Sequence, residues 1–106
     1  MTDVVEICAQ KLSERTGEAR RLFHGRGHSF PGFEHLVVNW LPPYLHIACY
    51  RPPETFEVHK LVSALVDALN AITTIEGVVV QHRQGRATKS DVVVGTVPAE
   101  VLVQEA

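Results

Sequence analysis

An apolar stripe in the second half of the chain constrains the fold most. Apolar residues recur there at steps of three and four, at Val58, Val62, Leu65, Leu69 and Ile72. Because an α-helix completes a turn every 3.6 residues, this spacing places all of these side chains on one face. The pattern predicts an amphipathic helix over residues 54–73, which must bury its apolar face against another layer of structure.

Two strands are predicted ahead of this helix. The first covers residues 36–38, and the second runs over Tyr44–Tyr50, where Leu45, Ile47 and Cys49 alternate with other residues. Alternation with a period of two is typical of a strand that buries one face. The prolines at 42 and 43 interrupt the run between the strands, so we expect an antiparallel hairpin.

The remaining elements are shorter. Asp3 and Glu6 have the spacing of a capping box, which predicts a first helix over residues 3–16 that ends before Gly17. Residues 25–32 are rich in glycine and predict a shaped loop. After the long helix we expect a valine strand at 78–80, a polar basic loop at 84–90, a short strand at 91–94 and a last strand at 101–103.

This order of elements predicts the fold class. It is an α+β protein, a two-layer sandwich in which one long helix packs on a mainly antiparallel sheet of four to five strands, with an additional N-terminal helix. The length of 106 residues, with 45% hydrophobic and 21% charged, is typical of one packed domain, which we place at 1–106.

Composition also excludes several classes of function. No apolar run approaches the roughly 18 residues that a membrane span needs, and no leader of the charged-then-apolar type is visible, so we predict a cytoplasmic protein without a membrane partner. Cys8 and Cys49 have no paired spacing and are expected to be buried free thiols. A net charge of −2 argues against binding of nucleic acid through the overall electrostatic field, so any such contact must be local.

Three short motifs point to a family. They are Arg21-Leu22-Phe23-His24-Gly25, then Phe30-Pro31-Gly32, then Leu36-Val37-Val38-Asn39. Together they resemble the segment that precedes the catalytic domain in bacterial rRNA methyltransferases of the cytosine-5 large-subunit type. The resemblance continues to about residue 105, through the second strand, the helix and the stretch around Pro98.

The resemblance implies a strand-strand-helix-strand-strand module at 20–106, and residues 1–19, with the predicted first helix, form an N-terminal part outside it. In the family, this module is joined to a catalytic domain that binds S-adenosylmethionine. The glycine motif for that cofactor and the catalytic cysteine have no counterpart in this sequence. We therefore expect no cofactor in this chain, with S-adenosylmethionine bound by a catalytic domain of the same polypeptide.

Two groups of basic residues are the candidate RNA contacts. The first consists of Arg20, Arg21, His24, Arg26 and His28. The second consists of Arg83, Arg86 and Lys89. If the fold brings the groups together, they form one positive face on an otherwise acidic domain, which could seat an RNA backbone. The leading hypothesis is thus a non-catalytic accessory domain of an RNA methyltransferase, which positions RNA or supports the catalytic domain.

Other readings of the same residues stay open. Six histidines suggest a metal site, but none has a cysteine partner or the spacing of a zinc framework, so we expect hydrogen-bonded or solvated imidazoles and no metal. The glycines around Arg26 could cradle an anion or could simply form a turn. Ser29 beside His28 supplies residue types for hydrolysis, but no nucleophile elbow surrounds it. The alternative function is a free-standing interaction module without enzymatic activity, a homodimer through an exposed last strand.

Overall fold

The computed structural model describes residues 2–25, 35–50, 57–84 and 87–98. Two helices and five strands are formed by these residues. In chain order they are α1 (Thr2–Glu14), β1 (Arg20–His24), β2 (Leu36–Leu41), β3 (Tyr44–Tyr50), α2 (Val58–Leu69), β4 (Gly77–Gln84) and β5 (Ala87–Gly95). None of these helices combines the length and hydrophobicity needed to cross a membrane.

The strands form one sheet in the order β1-β2-β3-β4-β5. Neighbouring strands are antiparallel except for β3 and β4, which run parallel. The α+β class and the mainly antiparallel sheet are therefore confirmed. Strands β3 and β4 run parallel because α2 lies between them in sequence and returns the chain to the end of the sheet at which β3 begins.

Both helices bury an apolar face in one core. Helix α1 contributes Val4, Cys8 and Leu12, which are one turn apart and fully buried. Helix α2 contributes four buried residues, namely Leu61, Val62, Leu65 and Leu69. They pack on the sheet face that carries every second residue of β2, β3 and β4. The two-layer arrangement follows from these two amphipathic helices.

Helix α2 is shorter than its apolar stripe. It ends at Leu69, whereas the stripe predicts an end at Thr73, and residues 54–56 lie outside the described part of the chain. The side-chain Oδ1 of Asn70 accepts a hydrogen bond from the backbone N–H of Ile75 at 3.2 Å. Such a local bond competes with continuation of the helix. Ile72 still packs against the core from the turn that follows.

Strand β1 was absent from the sequence-based order of elements. Its register against β2 shifts between Arg21 and Phe23, so Leu22 is an extra residue in the ladder. The bulge places both Leu22 and Phe23 in the core. Two adjacent buried residues break the alternation that reveals a strand, which explains why the pattern failed here.

The segment before residue 91 is also different from our expectation. A polar loop was predicted at 84–90, but β4 continues to Gln84 and β5 begins at Ala87. Residues 87–90 pair with β4, for example Lys89 with His82. This pairing satisfies the backbone hydrogen bonds of the segment, so it forms a strand although its sequence is polar. The short strand predicted at 91–94 is thus the second half of a longer one. The strand predicted at 101–103 lies outside the described residues.

Candidate functional site

Arg20 fastens helix α1 to strand β1. Its guanidinium donates to the backbone carbonyl oxygen of Lys11 at 3.1 Å and forms an ion pair with the Glu14 carboxylate at 3.4 Å. Carbonyl oxygens in the last turn of a helix have no partner within the helix, so a cationic donor is favourable there. The structure therefore gives Arg20 a structural role that the sequence pattern did not indicate. Its contact with RNA remains a prediction.

Arg21 and His24 lie on the sheet face that points away from the helices. They stand opposite Asn39 and Val37 of β2, whose side chains share that face. Arg21 is exposed and His24 is half-buried. Arg20 lies opposite Trp40 on the helix side, so the side chains of Arg20 and Arg21 point to opposite faces of the sheet.

Arg83 is held in place by its neighbours on the same face as Arg21. Its Nε and Nη2 donate to Oε1 of Gln81 at 3.3 and 2.8 Å, and its Nη1 donates to the Tyr50 hydroxyl at 3.2 Å. The guanidinium carbon also lies 5.4 Å from the centre of the Tyr50 ring. These contacts orient the cation before any ligand arrives.

Lys89 belongs to the other face of the sheet. It lies opposite His82, on the side that carries the helices, and its side chain is exposed. Nearby, Nε2 of His82 is 3.4 Å from the Asp91 carboxylate. The local charge around Lys89 is therefore mixed.

The two basic groups do not meet in the described part of the chain. Strands β2 and β3 lie between β1, which carries Arg21, and β4, which carries Arg83. With about 4.8 Å between neighbouring strands, these two strands are roughly 14 Å apart. Lys89 faces the opposite side, and Arg26, His28 and Arg86 lie outside the described residues. The described basic residues thus lie apart and do not form one positive surface. Their contacts with RNA remain predictions.

Three polar residues are buried on the sheet face that points away from α1 and α2. Asn39, His46 and Gln81 are all buried, with exposed fractions of 5%, 0% and 2%. The Asn39 amide Nδ2 is 3.2 Å from Nδ1 of His46, its direct neighbour across β2 and β3. The sequence analysis assigned these residues no role. Their signal was a single polar residue within an otherwise apolar stretch of β2 and of β3, and a polar residue directly after the valine run of β4.

An apolar groove runs between helix α2 and strand β5. Its volume is about 320 Å³, and its walls are formed mainly by valines. Those of α2 are Val58, Val62 and Val66, and those of β5 are Val93 and Val94. His59, Ser63 and Asp67 bring polar atoms to its rim. The groove has the size of a small binding site, but its lining is that of a hydrophobic contact surface.

Both thiols lie in the interior of the domain. Cys8 and Cys49 are free and buried, as expected. Burial raises the pKa of Cys8 to about 12, with a smaller opposing effect from Lys11, and it raises the pKa of Cys49 to about 11. Both remain protonated at neutral pH. Within ranges 2–25, 35–50, 57–84 and 87–98, no three histidine, cysteine or carboxylate side chains come together as a metal site would require.

Comparison with known proteins gives a likeness of fold. No protein-family model matches the chain, and no curated protein does. Several solved structures are similar to it, including the following two. The first is described as a putative SAM-dependent methyltransferase from Streptococcus mutans, with a TM-score of 0.56 and 17% identity. The second is SMU.776, described as a putative methyltransferase complexed with SAH, with a TM-score of 0.54 and 17% identity.

The extent of the match is the same for both neighbours. In each case 93% of this chain is covered, but only 26% of the neighbour. The chain therefore spans about a quarter of the length of these two proteins.

Proposed function

We propose that this chain is a non-catalytic accessory module of an RNA methyltransferase that uses S-adenosylmethionine. One observation carries the proposal, namely that 93% of the chain has the fold of a segment covering 26% of two proteins described as putative methyltransferases. Supporting the catalytic domain is then the function of the module. The motifs around Arg21, Pro31 and Val37 support the narrower proposal of a cytoplasmic rRNA enzyme of the cytosine-5 type.

The chemistry of the groove supports placing the cofactor elsewhere. S-adenosylmethionine carries a charged amino acid, a ribose and an adenine, which require several convergent hydrogen-bonding groups. The groove between α2 and β5 offers mainly valine side chains, with Asp67 as its carboxylate. In our proposal the cofactor therefore binds to the catalytic domain of the same polypeptide.

Exposed cations support a contribution to RNA positioning. Arg21 and Lys89 are exposed, whereas Arg20 is tied to Lys11 and Glu14. We propose that Arg21 contacts the RNA backbone from the sheet face that points away from α1 and α2, as a single charge contact rather than as part of a broad basic surface.

Calorimetric titration of the isolated 106-residue chain with S-adenosylmethionine tests the absence of a cofactor site. We expect no heat of binding. Saturable binding with a dissociation constant in the micromolar range, about −8 kcal/mol, would contradict the proposal, because the chain would then hold a cofactor site of its own.

The RNA contact is tested by comparing Arg21 with Lys60, an exposed cation outside the two basic groups. Replacing Arg21 by alanine removes a phosphate contact, so the slope of log affinity against log salt concentration should fall by about 1. Lys60→Ala is the matched control, because Lys60 is exposed on α2, pairs with Glu57 and belongs to neither basic group, so its replacement should leave that slope unchanged. An identical slope for Arg21→Ala and the unaltered chain would remove this residue from the proposal.

A further inference from the structure

Strand β5 presents an edge that no strand pairs with in the part of the chain that the structure describes. It is nine residues long and pairs with β4 along its other side. Val92 and Val93 on this strand are 43% and 48% exposed, although both are large apolar residues. Long edge strands with exposed β-branched residues are templates for further pairing, and natural proteins usually shield them. This edge is therefore suited to bind another strand.

The apolar surface continues from the edge into the groove. Val93 is both an exposed residue of β5 and part of the groove wall opposite Val62 and Val66 of α2. A strand added beside β5 would therefore extend the sheet and also shield part of this apolar surface from water.

The charges of β5 indicate which strand fits. Lys89 and Asp91 lie two residues apart on the helix side of the sheet, opposite His82 and Val80 of β4. Antiparallel pairing of two β5 strands about Ser90 places Lys89 of each copy opposite Asp91 of the other. Pairing about Asp91 or about Lys89 would instead bring two like charges face to face, which is unfavourable. The strand is thus complementary to itself in the register centred on Ser90.

We propose that β5 pairs antiparallel with β5 of a second copy, centred on Ser90, so that one sheet continues across a dimer. Two ion pairs between Lys89 and Asp91 set the register, and the pairing shields Val92 and Val93. This interface does not depend on the proposed methyltransferase function. It differs from the dimer predicted from the sequence, which used residues 101–103, outside the described part of the chain.

A disulfide crosslink tests the centre of the register. Residues directly opposite in antiparallel strands have Cα atoms about 4.5 to 5.5 Å apart, within the range that a disulfide bridges. The variant Ser90→Cys should form a covalent dimer under mild oxidation. Ser13→Cys, at an exposed position of α1, is the control and should remain monomeric on a non-reducing gel. The natural thiols do not interfere, because Cys8 and Cys49 are buried.

Charge reversal tests the ion pairs in solution. Sedimentation equilibrium of the full chain should show a dimer whose dissociation constant rises about tenfold in Lys89→Asp and in Asp91→Lys. A mixture of these two variants should form a heterodimer, and the double variant K89D/D91K should dimerise as the unaltered chain does. Recovery in the double variant separates the effect from loss of the contact between Asp91 and His82. Lys11→Glu and Glu6→Lys, on exposed positions of α1, control for charge alone.

Three results would overturn the proposal. The first is a chain that stays monomeric up to about 1 mM, where even an affinity near −4 kcal/mol would be visible. The second is a dimer whose dissociation constant is unchanged by every charge reversal on β5. The third is a Ser90→Cys variant that crosslinks no faster than Ser13→Cys. None of these results bears on S-adenosylmethionine or RNA, so the methyltransferase proposal would stand or fall separately.

Discussion

Asn39 and His46 face each other across strands β2 and β3, with the Asn39 amide Nδ2 3.2 Å from Nδ1 of His46. Both residues are buried in the middle of the sheet face that points away from α1 and α2. With the amide as donor, Nδ1 of His46 is the acceptor. A polar pair at such a position must be satisfied within the protein, since a buried polar group without a partner costs free energy.

Replacing Asn39 by leucine should lower the free energy of unfolding by about 1 to 3 kcal/mol, because Nδ1 of His46 loses its donor. Urea denaturation followed by circular dichroism measures the change. Gln10→Leu, at an exposed position of α1, should stay within about 0.5 kcal/mol of the unaltered chain. Equal stabilities of the two variants would show that the Asn39 contact contributes nothing.

Gly95 should tolerate alanine poorly. Its φ is +60°, in the region that favours glycine, and an added Cβ would collide with the carbonyl oxygen of Glu76. We expect Gly95→Ala to lower the free energy of unfolding by more than about 1 kcal/mol. Gly17→Ala is the control, since nothing lies within 4 Å of a Cβ there and φ is not left-handed. A similar loss in both variants would contradict the steric argument.

The buried thiols should make the domain less stable in alkali. The folded protein raises the pKa of Cys8 to about 12 and of Cys49 to about 11, from an unfolded value of 9.0. Above pH 9 the unfolded chain releases thiol protons that the folded chain keeps. The free energy of unfolding should therefore fall by about 1.4 kcal/mol per pH unit and thiol, and should reach its lower level as the pH passes each folded pKa.

Urea denaturation between pH 8 and pH 10 checks this slope, with tyrosine and lysine titration as a common background. A chain in which both cysteines are replaced by alanine is less stable at every pH because of the lost packing. Its stability should nevertheless fall less steeply above pH 9 than that of the unaltered chain. If the free energy of unfolding changed with pH in parallel for the two proteins, the thiols would ionise equally in the folded and the unfolded state.

Leu65 should be a principal contributor to stability. It is fully buried in the core cluster at the centre of α2. Leu65→Ala should lower the free energy of unfolding by about 2 to 5 kcal/mol, through lost burial and the cavity left behind. Ser63→Ala on the exposed side of the same helix should change it by less than about 0.5 kcal/mol, as measured by denaturation with urea. A small effect at Leu65 would mean that α2 does not anchor the core.

Much of the fold was readable from local patterns. The stripe that contains Leu65 predicted α2, and the alternation of Leu45, Ile47 and Cys49 predicted β3 with the same bounds that the structure shows. Both signals are periodic because each element buries one face in the core. Burial of that face requires apolar residues at the period of the helix or strand, and this period is visible in the sequence.

Other features depended on contacts between distant parts of the chain. Leu22 and Phe23 are both buried because of a bulge, which no periodicity reveals. Strand β5 forms because β4 satisfies its backbone hydrogen bonds. Arg20 and Arg21 point to opposite faces of the sheet because they are consecutive residues of β1, a strand that the sequence pattern did not predict.

The sequence by itself determined the two amphipathic helices, the hairpin around the two prolines and the α+β class, since these depend on spacing within one element. Only the tertiary structure decided that β3 and β4 run parallel, that the described basic residues stay apart, and that Asn39 meets His46. The physical reason is that strand pairing joins residues far apart in sequence, and a chain's local periodicity does not specify which edges will meet.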